Sequence, residues 1–548
     1  MAIVNLNKRQ FEKEIGSLNE KMRDRIAMFG TPLEEVGEDE IQIEVFPNRP
    51  DLLSFQGFKR SFLTFLGKKT GLKRYKINKP EKDYQVIIDS SVKKVRPYTA
   101  CAIVKGLKLN DEKIKEIIDI QEKLHTTLGR KRAKAAIGIY PLEKIKLPIT
   151  FTAVEPDKIK FIPLESEREM SGLQILERHP AGREYAHLLT GKAKFPIFID
   201  DSKNILSMPP IINSQMTGKI NEETKDVFVE CSGFDFETLK KCLNIIAVNL
   251  ADMGGEIYQM ELKYRKKEIT PELNPEKKKI SIENTNRLLG INLDEKHLKK
   301  FMERMGYDYD KGYAEVPAWR TDILHEVDLI EDIAIAYGYE NFIPDIAGES
   351  FIGEEDKITI LKRRMAEILI GIGMLEVSGY HLTNREEQFR RMGISEKQET
   401  GCIEIKESKT DYNILRKDLS ANLMKILSDN IDSEYPQKIF EIGKVFEADG
   451  DIKESEKLAS ALSSGNFTEA KQVLEYLFRM MDLKLELKET EKFPGYFIDG
   501  RVAEIFFEEK SIGFIGEIHP KILKNWKIKM PVALFEINLE QIFKKFAD

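Results

Sequence analysis

The chain has 548 residues, which at about 150 residues per domain is too long for one ordinary core and implies three or four domains. With 41% hydrophobic and 32% charged residues it has the composition of a soluble globular protein. A net charge of −6 supplies no bulk positive field, so any RNA contact must come from local basic patches. Its four cysteines, Cys101, Cys231, Cys242 and Cys402, show no Cys-x-x-Cys spacing, which argues against a zinc ribbon and suits a reducing cytoplasm. No basic segment leads into an apolar signal core at the start, and no run of about 18 apolar residues occurs. A cytoplasmic protein that spans no membrane is expected.

Residues 1–90 read as an N-terminal α+β module. A short apolar strand leads into a helix-like segment from Lys8 to Phe29, and the alternation from Ile41 to Phe46 predicts a strand. Asn48-Arg49-Pro50-Asp51 is a turn signal leading into a helix from Leu52 to Leu66. Residues 91–266 mix helical patterns with short strand-like runs at Thr99–Val104, Phe195–Ile199 and Asp226–Glu230. Their densest basic run is Leu128-Gly-Arg130-Lys131-Arg132-Ala-Lys134, followed by Gly138-Ile-Tyr140. It is either a solvated helix end or an RNA phosphate contact. Such a run can anchor a nucleic acid but cannot read one.

From Lys267 to Lys279 the chain is charged and spaced by Pro271 and Pro275, which predicts a linker. Residues 267–348 then continue through Ile280-Ser-Ile-Glu-Asn-Thr-Asn-Arg-Leu-Leu-Gly290, an amphipathic helix from Asp294 to Met305 closed by Gly306, and an acidic helix. Residues 349–548 hold an amphipathic helix from Leu361 to Ile372. Strands at Ile439–Phe446 and Gly500–Phe507, then the segment Ile512 to Pro520, follow in antiparallel rhythm. No period of about 20–50 residues recurs. Rossmann, P-loop, Gly-x-Ser-x-Gly and His-Glu-x-x-His motifs are absent as working motifs, so the chain shows no free-standing catalytic signature.

The most informative stretch runs from Val316 to Tyr339. Asp328, Glu331 and Asp332 stand at i, i+3 and i+4, with Asp322 just upstream, so four carboxylates can converge on one point. A hard cation such as Mg²⁺ suits oxygen ligands of this kind. Acidic residues in a first helical turn also offset the helix dipole, and spacing alone leaves both readings open.

Pro317, Arg320, Asp322, Asp328-Leu-Ile-Glu331-Asp332 and Tyr337-Gly-Tyr339 together resemble the signature of the phenylalanine–tRNA ligase β-subunit family, and Phe46-Pro-Asn-Arg-Pro-Asp-Leu-Leu-Ser54 resembles its N-terminal module. The resemblance implies magnesium at Asp322, Asp328, Glu331 and Asp332, near the contact with an α subunit. Asp332 stands where many relatives carry Glu, which shortens the reach.

Leu415-Arg416-Lys-Asp-Leu-Ser420, Phe440-Glu-Ile-Gly-Lys-Val-Phe446 and Gly516-Glu-Ile-His519-Pro520 resemble the family's catalytic-like module, a copy of the class II synthetase sheet. A working class II site needs arginines on the ATP phosphates. Arg416 and Arg501 read instead as residues paired within the fold or with a partner, so no catalytic residue for activation is expected here. ATP would then be a substrate at the α subunit.

His179-Pro-Ala-Gly-Arg-Glu-Tyr-Ala, Leu206-Ser207-Met-Pro-Pro210-Ile-Ile-Asn213-Ser214 and Val229-Glu230-Cys-Ser-Gly-Phe-Asp235 resemble the editing domain in its archaeal and eukaryotic form. Tyrosine differs from phenylalanine by one hydroxyl, which a hydrophobic pocket rejects only weakly, so a second site that reads the phenol is needed. By resemblance Glu230 would accept that hydroxyl, Ser207 would line the pocket, Phe198 would form part of its apolar wall, and Asn213 belongs to the same pocket. Taken alone, Glu230 is more often a surface or paired carboxylate. Phe234 replaces a smaller family residue and is expected to narrow the pocket.

The expectation is thus an α+β multidomain chain. It has an N-terminal α+β module (1–90), an α+β editing, tRNA-deacylating domain (91–266), a small helical, winged or helix-bundle-like domain with the acidic helix (267–348), and a class II-like antiparallel sheet module lacking an active site (349–548). The segment around Val45 and Pro47 has no room for the oligonucleotide-binding insertion of the bacterial form, and no anticodon-binding domain follows the last module. The implied assembly is an α₂β₂ heterotetramer acting on tRNA(Phe) as an aminoacyl-tRNA ligase. The rival is a free-standing tRNA-binding or tRNA-deacylating protein that works without an α chain.

Overall fold

Val4 and Leu6 on one strand, and Ile41, Ile43 and Val45 on another, put their apolar side chains on one face, as period-two alternation requires. In the computed structural model, which describes residues 2–346, 348, 352–395, 399–406 and 408–547, they belong to an antiparallel sheet of β1 (Ala2–Asn7), β2 (Leu33–Val36) and β3 (Glu40–Val45), in the order β1-β3-β2. The segment expected as one helix is two, α1 (Lys8–Glu14) and α2 (Glu20–Met28), because the chain turns at Gly16 with φ +146°. Helix α3 (Phe55–Phe65) starts later than expected. Pro50–Leu52 forms a separate 3₁₀ turn, and Ser54 caps the helix by accepting the Gly57 N–H at 3.0 Å. Phe58, Phe62 and Phe65 of α3 pack on Phe11 and Phe29.

The largest sheet has eleven strands. Its members are β4 (Ile77–Asn78), β5 (Gln85–Ile88), β6 (Tyr98–Lys105), β7 (Ala135–Pro141) and β8 (Ile149–Val154), and, beyond a separate pair β9 (Lys160–Phe161) and β10 (Met170–Ser171), β11 (Phe195–Ile199), β12 (Ile205–Met208), β13 (Ile212–Asn213), β14 (Val227–Gly233), β15 (Glu256–Lys263) and β16 (Lys267–Thr270). The order is β13-β12-β11-β8-β5-β15-β6-β14-β7, with β4 and β16 also on β15. Helices α4 (Asp111–Thr126), α5 (Gly172–Arg178), α6 (Pro180–Tyr185) and α7 (Phe236–Asp252) accompany it. Both faces are buried. Ala100, Ala102, Val104, Val227, Val229 and Cys231 face α7, whereas Cys101, Ile103, Tyr140, Phe151, Phe198 and Phe228 form a second, aromatic core on the other side.

The expected linker is not one. Lys267–Thr270 is β16, antiparallel to β15, and Glu276–Lys279 is β17, paired with a later strand. Buried Thr270 accepts the Cys101 N–H at 3.0 Å and donates to the Cys101 carbonyl at 2.7 Å, partners that lie 169 residues away and that local composition does not reveal. The following region joins helices α8 (Ile282–Leu289), α9 (Glu295–Arg304) and α10 (Glu326–Tyr337) to an antiparallel sheet, β17 (Glu276–Lys279), β18 (Asp308–Asp310) and β19 (Tyr313–Val316), in the order β17-β19-β18. A single apolar core runs from Val4 through Leu243 to Ile333.

Contacts divide the chain into two units, Met1–Asp345 and Ile346–Asp548. The expected boundary between residues 348 and 349 falls on a segment of which 347 and 349–351 lie outside the described residues. The second unit opens with α11 (Lys357–Gly371). Its seven-stranded sheet contains β20 (Leu375–Glu376) and, after the pair β21 (Leu382–Thr383) and β22 (Ile414–Leu415), β23 (Gln437–Asp449), β24 (Asp451–Ser463), β25 (Glu486–Lys488), β26 (Phe497–Phe507), β27 (Lys510–Ile518) and β28 (Val532–Asn538). The order is β20-β23-β24-β28-β27-β26-β25, antiparallel except for β20. Leu458 and Leu462 face a core shared with α11, α13 (Phe467–Met480) and α15 (Glu540–Ala547). Ala459 and Ala461 face α12 (Ser420–Asp429) and α14 (Pro520–Asn525). No helix among the described residues is long and apolar enough to cross a membrane.

Phe58 is fully buried between Phe11, Phe29 and Phe62, so Phe58→Ala should cost ~3–5 kcal/mol in the first unit. A urea midpoint unchanged by the substitution would show that this aromatic cluster does not hold the N-terminal sheet to α3.

Candidate functional site

On β14, alternation sends Val227, Val229 and Cys231 toward α7 and sends Phe228 and Glu230 toward the aromatic core. Glu230 is therefore the acid on an otherwise apolar face, and it is only 2% exposed. It borders a cavity of about 780 Å³ whose lining includes Ile139, Leu164, His179, Pro210 and Asn213. Across the sheet Glu230 stands opposite Cys101 of β6 and Gly138 of β7. Gly138 is required there, since a Cβ would lie 2.7 Å from Glu230 Oε1 and 2.2 Å from the Tyr140 hydroxyl. The Tyr140 hydroxyl, 3.3 Å from both Glu230 Oε1 and Asn213 Oδ1, has one proton to give and donates to one of them at a time.

Burial raises the Glu230 carboxyl to about 8, against smaller lowering effects of the Arg96 charge and the Tyr140 hydrogen bond. Arg96 is itself buried, which pulls its guanidinium down to about 10, partly offset by the Glu230 charge. It donates to Ser232, through Nε to Oγ at 3.1 Å and through Nη2 to the carbonyl at 2.5 Å, rather than to Glu230. Oε2 of Glu230 has no partner inside the protein, and neither has the buried Ser207 Oγ.

Of the four expected pocket residues, Glu230 and Asn213 line the cavity. Phe198, expected in its apolar wall, and Ser207, expected to line it, are both buried behind that lining. They connect through register, Phe198 opposite Ser207 and Ser207 opposite Asn213, with the Phe198 ring stacked on Phe151 at 4.3 Å. Phe234 does not narrow the cavity. It is 52% exposed and lies 5.6 Å from the Arg96 guanidinium. Tyr140, Gly138 and Arg96 were not singled out as site residues, although a glycine inside the strand run Gly138-Ile-Tyr140 is a signal of close approach.

The cavity mouth is polar. Arg132 reaches in to donate to the Ile211 carbonyl at 2.8 Å and to Glu122 at 3.0 Å, with its guanidinium 4.3 Å from the Tyr185 ring. His125 Nε2 accepts the Ile137 N–H at 2.8 Å, which leaves Nδ1 to donate to Glu122 at 3.2 Å. Burial raises the Glu122 carboxyl, but His125 and Arg132 outweigh it and hold it at about 2. Arg130, Lys131 and Arg132 are all left-handed, at φ 47°, 51° and 65°, a conformation that costs non-glycine residues roughly 1 kcal/mol or more each. The basic run is thus a strained turn that closes the C-terminal end of α4, where the Gly129 and Arg132 N–H groups donate to the Leu124 and His125 carbonyls at 2.8 and 3.1 Å.

A second cavity of about 770 Å³ brings together the two N-terminal and acidic motifs, with Asn48 and Arg49 on its lining beside Asp322, Asp328, Glu331 and Asp332. The carboxylates are not equivalent. Arg320 holds Asp322 through two bonds of 2.8 and 2.6 Å and Asp332 at 2.8 Å, and the Tyr307 hydroxyl also donates to Asp332. Asp328 accepts the N–H groups of Leu324 and His325, both at 2.7 Å, and so closes the start of α10. Partial burial raises the Glu331 carboxyl, and its three acidic neighbours raise it further. Among the described residues no three His, Cys, Asp or Glu groups form a set ready to hold a metal ion. In the second unit, Arg416 is buried against Glu441 at 2.5 Å, and Arg501 pairs with Glu517 at 2.6 Å.

Three family models match the chain: the B3/4 domain over residues 84–246, the tRNA synthetase B5 domain over 278–339, and the phenylalanyl tRNA synthetase β chain CLM domain over 345–539. A phenylalanine–tRNA ligase β subunit of Thermococcus sibiricus is 42% identical over 510 residues, 91% of this chain and 90% of that one. The Archaeoglobus fulgidus β subunit is 36% identical over 551 residues and 99% of each chain. An N-terminal fragment of the Pyrococcus horikoshii phenylalanyl-tRNA synthetase β subunit, solved by crystallography, superposes with a TM-score of 0.59 at 36% identity, over 61% of this chain and 99% of that one.

Glu230 gives a signed pH prediction. Its carboxyl titrates near its ordinary value of 4.5 when unfolded and at about 8 when folded. Its contribution is therefore fully present below about pH 4.5 and is lost as pH rises to about 8, by on the order of a few kcal/mol. Glu230→Gln should remove that loss, so the variant gains on the wild type across this window. Parallel stability profiles from pH 4.5 to 8.5 would mean that the folded carboxyl is not raised.

Proposed function

We infer the work of this chain from the family to which it belongs, that of the phenylalanine–tRNA ligase β subunits. It is the subunit that accompanies an α chain in attaching phenylalanine to tRNA(Phe), with amino-acid activation and ATP at the α chain. The module divisions proposed are 1–90, 91–266, 267–348 and 349–548, the assembly is an α₂β₂ heterotetramer, and its compartment is the cytoplasm. The buried pairing of Arg416 with Glu441 supports a C-terminal module without a nucleotide site, since that guanidinium is already neutralised.

The cavity beside Glu230 is the proposed editing site, which hydrolyses tyrosyl-tRNA(Phe). One observation carries this reading: the Glu230 carboxyl is buried with Oε2 unpartnered. A tyrosine hydroxyl supplies the missing hydrogen bond, and phenylalanine leaves it unmade, so the wrong amino acid is the better ligand. The Tyr140 hydroxyl, shared with Asn213, donates to the carboxyl's other oxygen, while Ser207 and Phe198 support the wall from behind. Water then attacks the ester carbonyl carbon, the bond to the ribose oxygen breaks, and that oxygen takes up a proton. The products are tyrosine and free tRNA.

Magnesium is proposed at Asp322, Asp328, Glu331 and Asp332. The all-oxygen donor set suits a hard cation, and Asp328 and Glu331 are the two members without a cation against them. Asp322 and Asp332 are already held by the buried Arg320, so Asp328 and Glu331 would be the direct ligands and water would complete the shell. When bound, magnesium would supply the positive charge that the cluster lacks.

Glu230→Ala, measured above pH 8 where the carboxyl is ionised, should slow tyrosyl-tRNA(Phe) hydrolysis about ten- to a hundredfold, from a charge-assisted hydrogen bond of ~1.5–3 kcal/mol, and leave phenylalanine charging intact. Equal deacylation rates in an enzyme with measurable editing would remove Glu230 as the phenol reader. For the acidic cluster, Asp328→Ala with Glu331→Ala should lower magnesium content and α-chain association together, because too few oxygens remain for a hard cation. Normal assembly and normal metal content in that double variant would leave the cluster as a helix start alone.

A further inference from the structure

We propose that the left-handed turn Arg130-Lys131-Arg132 holds the phosphates of the RNA strand whose acylated end enters the cavity. This rests on the hydrolytic reading of that cavity. Among the described residues it is the only run of three consecutive non-glycine residues at positive φ. Its backbone is fixed, with Arg130 N–H donating to the Thr127 carbonyl at 3.0 Å, Arg132 N–H to His125 at 3.1 Å and Lys134 N–H to Gly129 at 2.8 Å. Arg132 anchors the turn from inside through Glu122, the Ile211 carbonyl and the Tyr185 ring. Arg130 and Lys131 are exposed and meet no carboxylate, and Lys134 beside them is exposed as well.

A turn with only a structural task would be less strained with glycine or asparagine, which adopt positive φ readily. This chain places three cations there, and one of them is itself part of the cavity lining. Strain kept in this way at a cavity rim points to a use for the side chains. If the cavity takes an aminoacyl ester of a terminal nucleoside, the next group outward along the strand is a phosphodiester. Two unpaired cations, held by an anchored third, suit that repeating charge. They supply affinity and positioning without reading bases. Of the lining carboxylates, Glu122 is neutralised by Arg132, whereas Glu165 and Glu184 disfavour a polyanion on their part of the cavity; Lys219 is a further lining cation the strand can meet.

The test uses the assembled ligase with Arg130→Gly and Lys131→Gly together. Glycine accepts the left-handed backbone, so the charges go while the melting temperature holds. Two substrates separate phosphate binding from the chemistry: a tyrosyl ester of a trinucleotide ending in adenosine, and tyrosyl-adenosine, which has no phosphate. The expected result is a fall of about tenfold or more in kcat/KM on the trinucleotide, none on tyrosyl-adenosine, and a salt slope of binding shallower by ~0.7 per lost contact. Arg130→Lys with Lys131→Arg should retain most of the wild-type value. An equal fall on both esters, or no fall on the trinucleotide, overturns the proposal. Should the wild type hydrolyse neither ester, the hydrolytic reading fails separately. The turn is then judged by binding of the unacylated trinucleotide, where equal affinities of wild type and double variant overturn it.

Discussion

A carboxyl placed in the middle of a strand whose two neighbours pair with it along its whole length cannot turn to water. That constraint at Glu230 organises the architecture around it. Strand β14 is bonded on one edge to β6 and on the other to β7 from Val227 to Gly233, so alternation alone commits residue 230 to the aromatic face. An ionised carboxylate in that setting would cost several kcal/mol, and the protein answers by raising its pKa and surrounding it with a few polar groups. Gly138 leaves the space, Tyr140 offers a proton, and Arg96 lends a positive potential without making contact. A Cβ at 138 would force the Tyr140 ring and the Glu230 carboxyl to shift.

Elsewhere buried charges are met by direct pairing. Arg320 satisfies Asp322 and Asp332 at once, and Arg416 satisfies Glu441 while also donating to the Lys444 carbonyl at 2.7 Å. Gly443 gives Arg416 its room, since a Cβ there would lie 2.4 Å from Nη2. A guanidinium fixed on several acceptors is structural cement. Glu441 keeps a second oxygen without a partner, as Glu230 does, but Glu230 has no ion pair and borders the cavity.

Much of the fold was legible because it follows local patterns. Alternation at 41–46 and short apolar runs at 99–104, 195–199 and 439–446 marked strands, and Asp294 with Gly306 bracketed a helix correctly. The errors were non-local. Lys267–Lys279 looked like a linker because its charges and prolines are visible in sequence, whereas its strand partners at 260–263 and 313–316 are fixed only by tertiary register. At the site, Glu230 and Asn213 were reached by resemblance, not by spacing, and the Arg96–Ser232 contact joins residues 136 apart with no local trace. Spacing placed the four acidic residues together but gave no hint that Arg320 claims two of them. The basic run was visible as charge. Its left-handed backbone was not, because Arg and Lys are the wrong residues by propensity to announce it.

On the proposed editing reading, discrimination by a single hydroxyl would account for a site built into a sheet and not onto loops. The available difference is one hydrogen bond, and a flexible acceptor would recover it from water when the hydroxyl is missing. On β14 that escape is closed, because ladder bonds on both edges hold the backbone and packing on both faces holds the side chains. On that reading phenylalanine in the cavity would leave a desolvated acceptor bare, which would turn a small chemical difference into a usable one. The same rigidity would require adaptability along an entering strand, and the proposed charge recognition by the exposed turn would meet that need, since a phosphate contact tolerates small changes in position that a buried hydrogen bond does not.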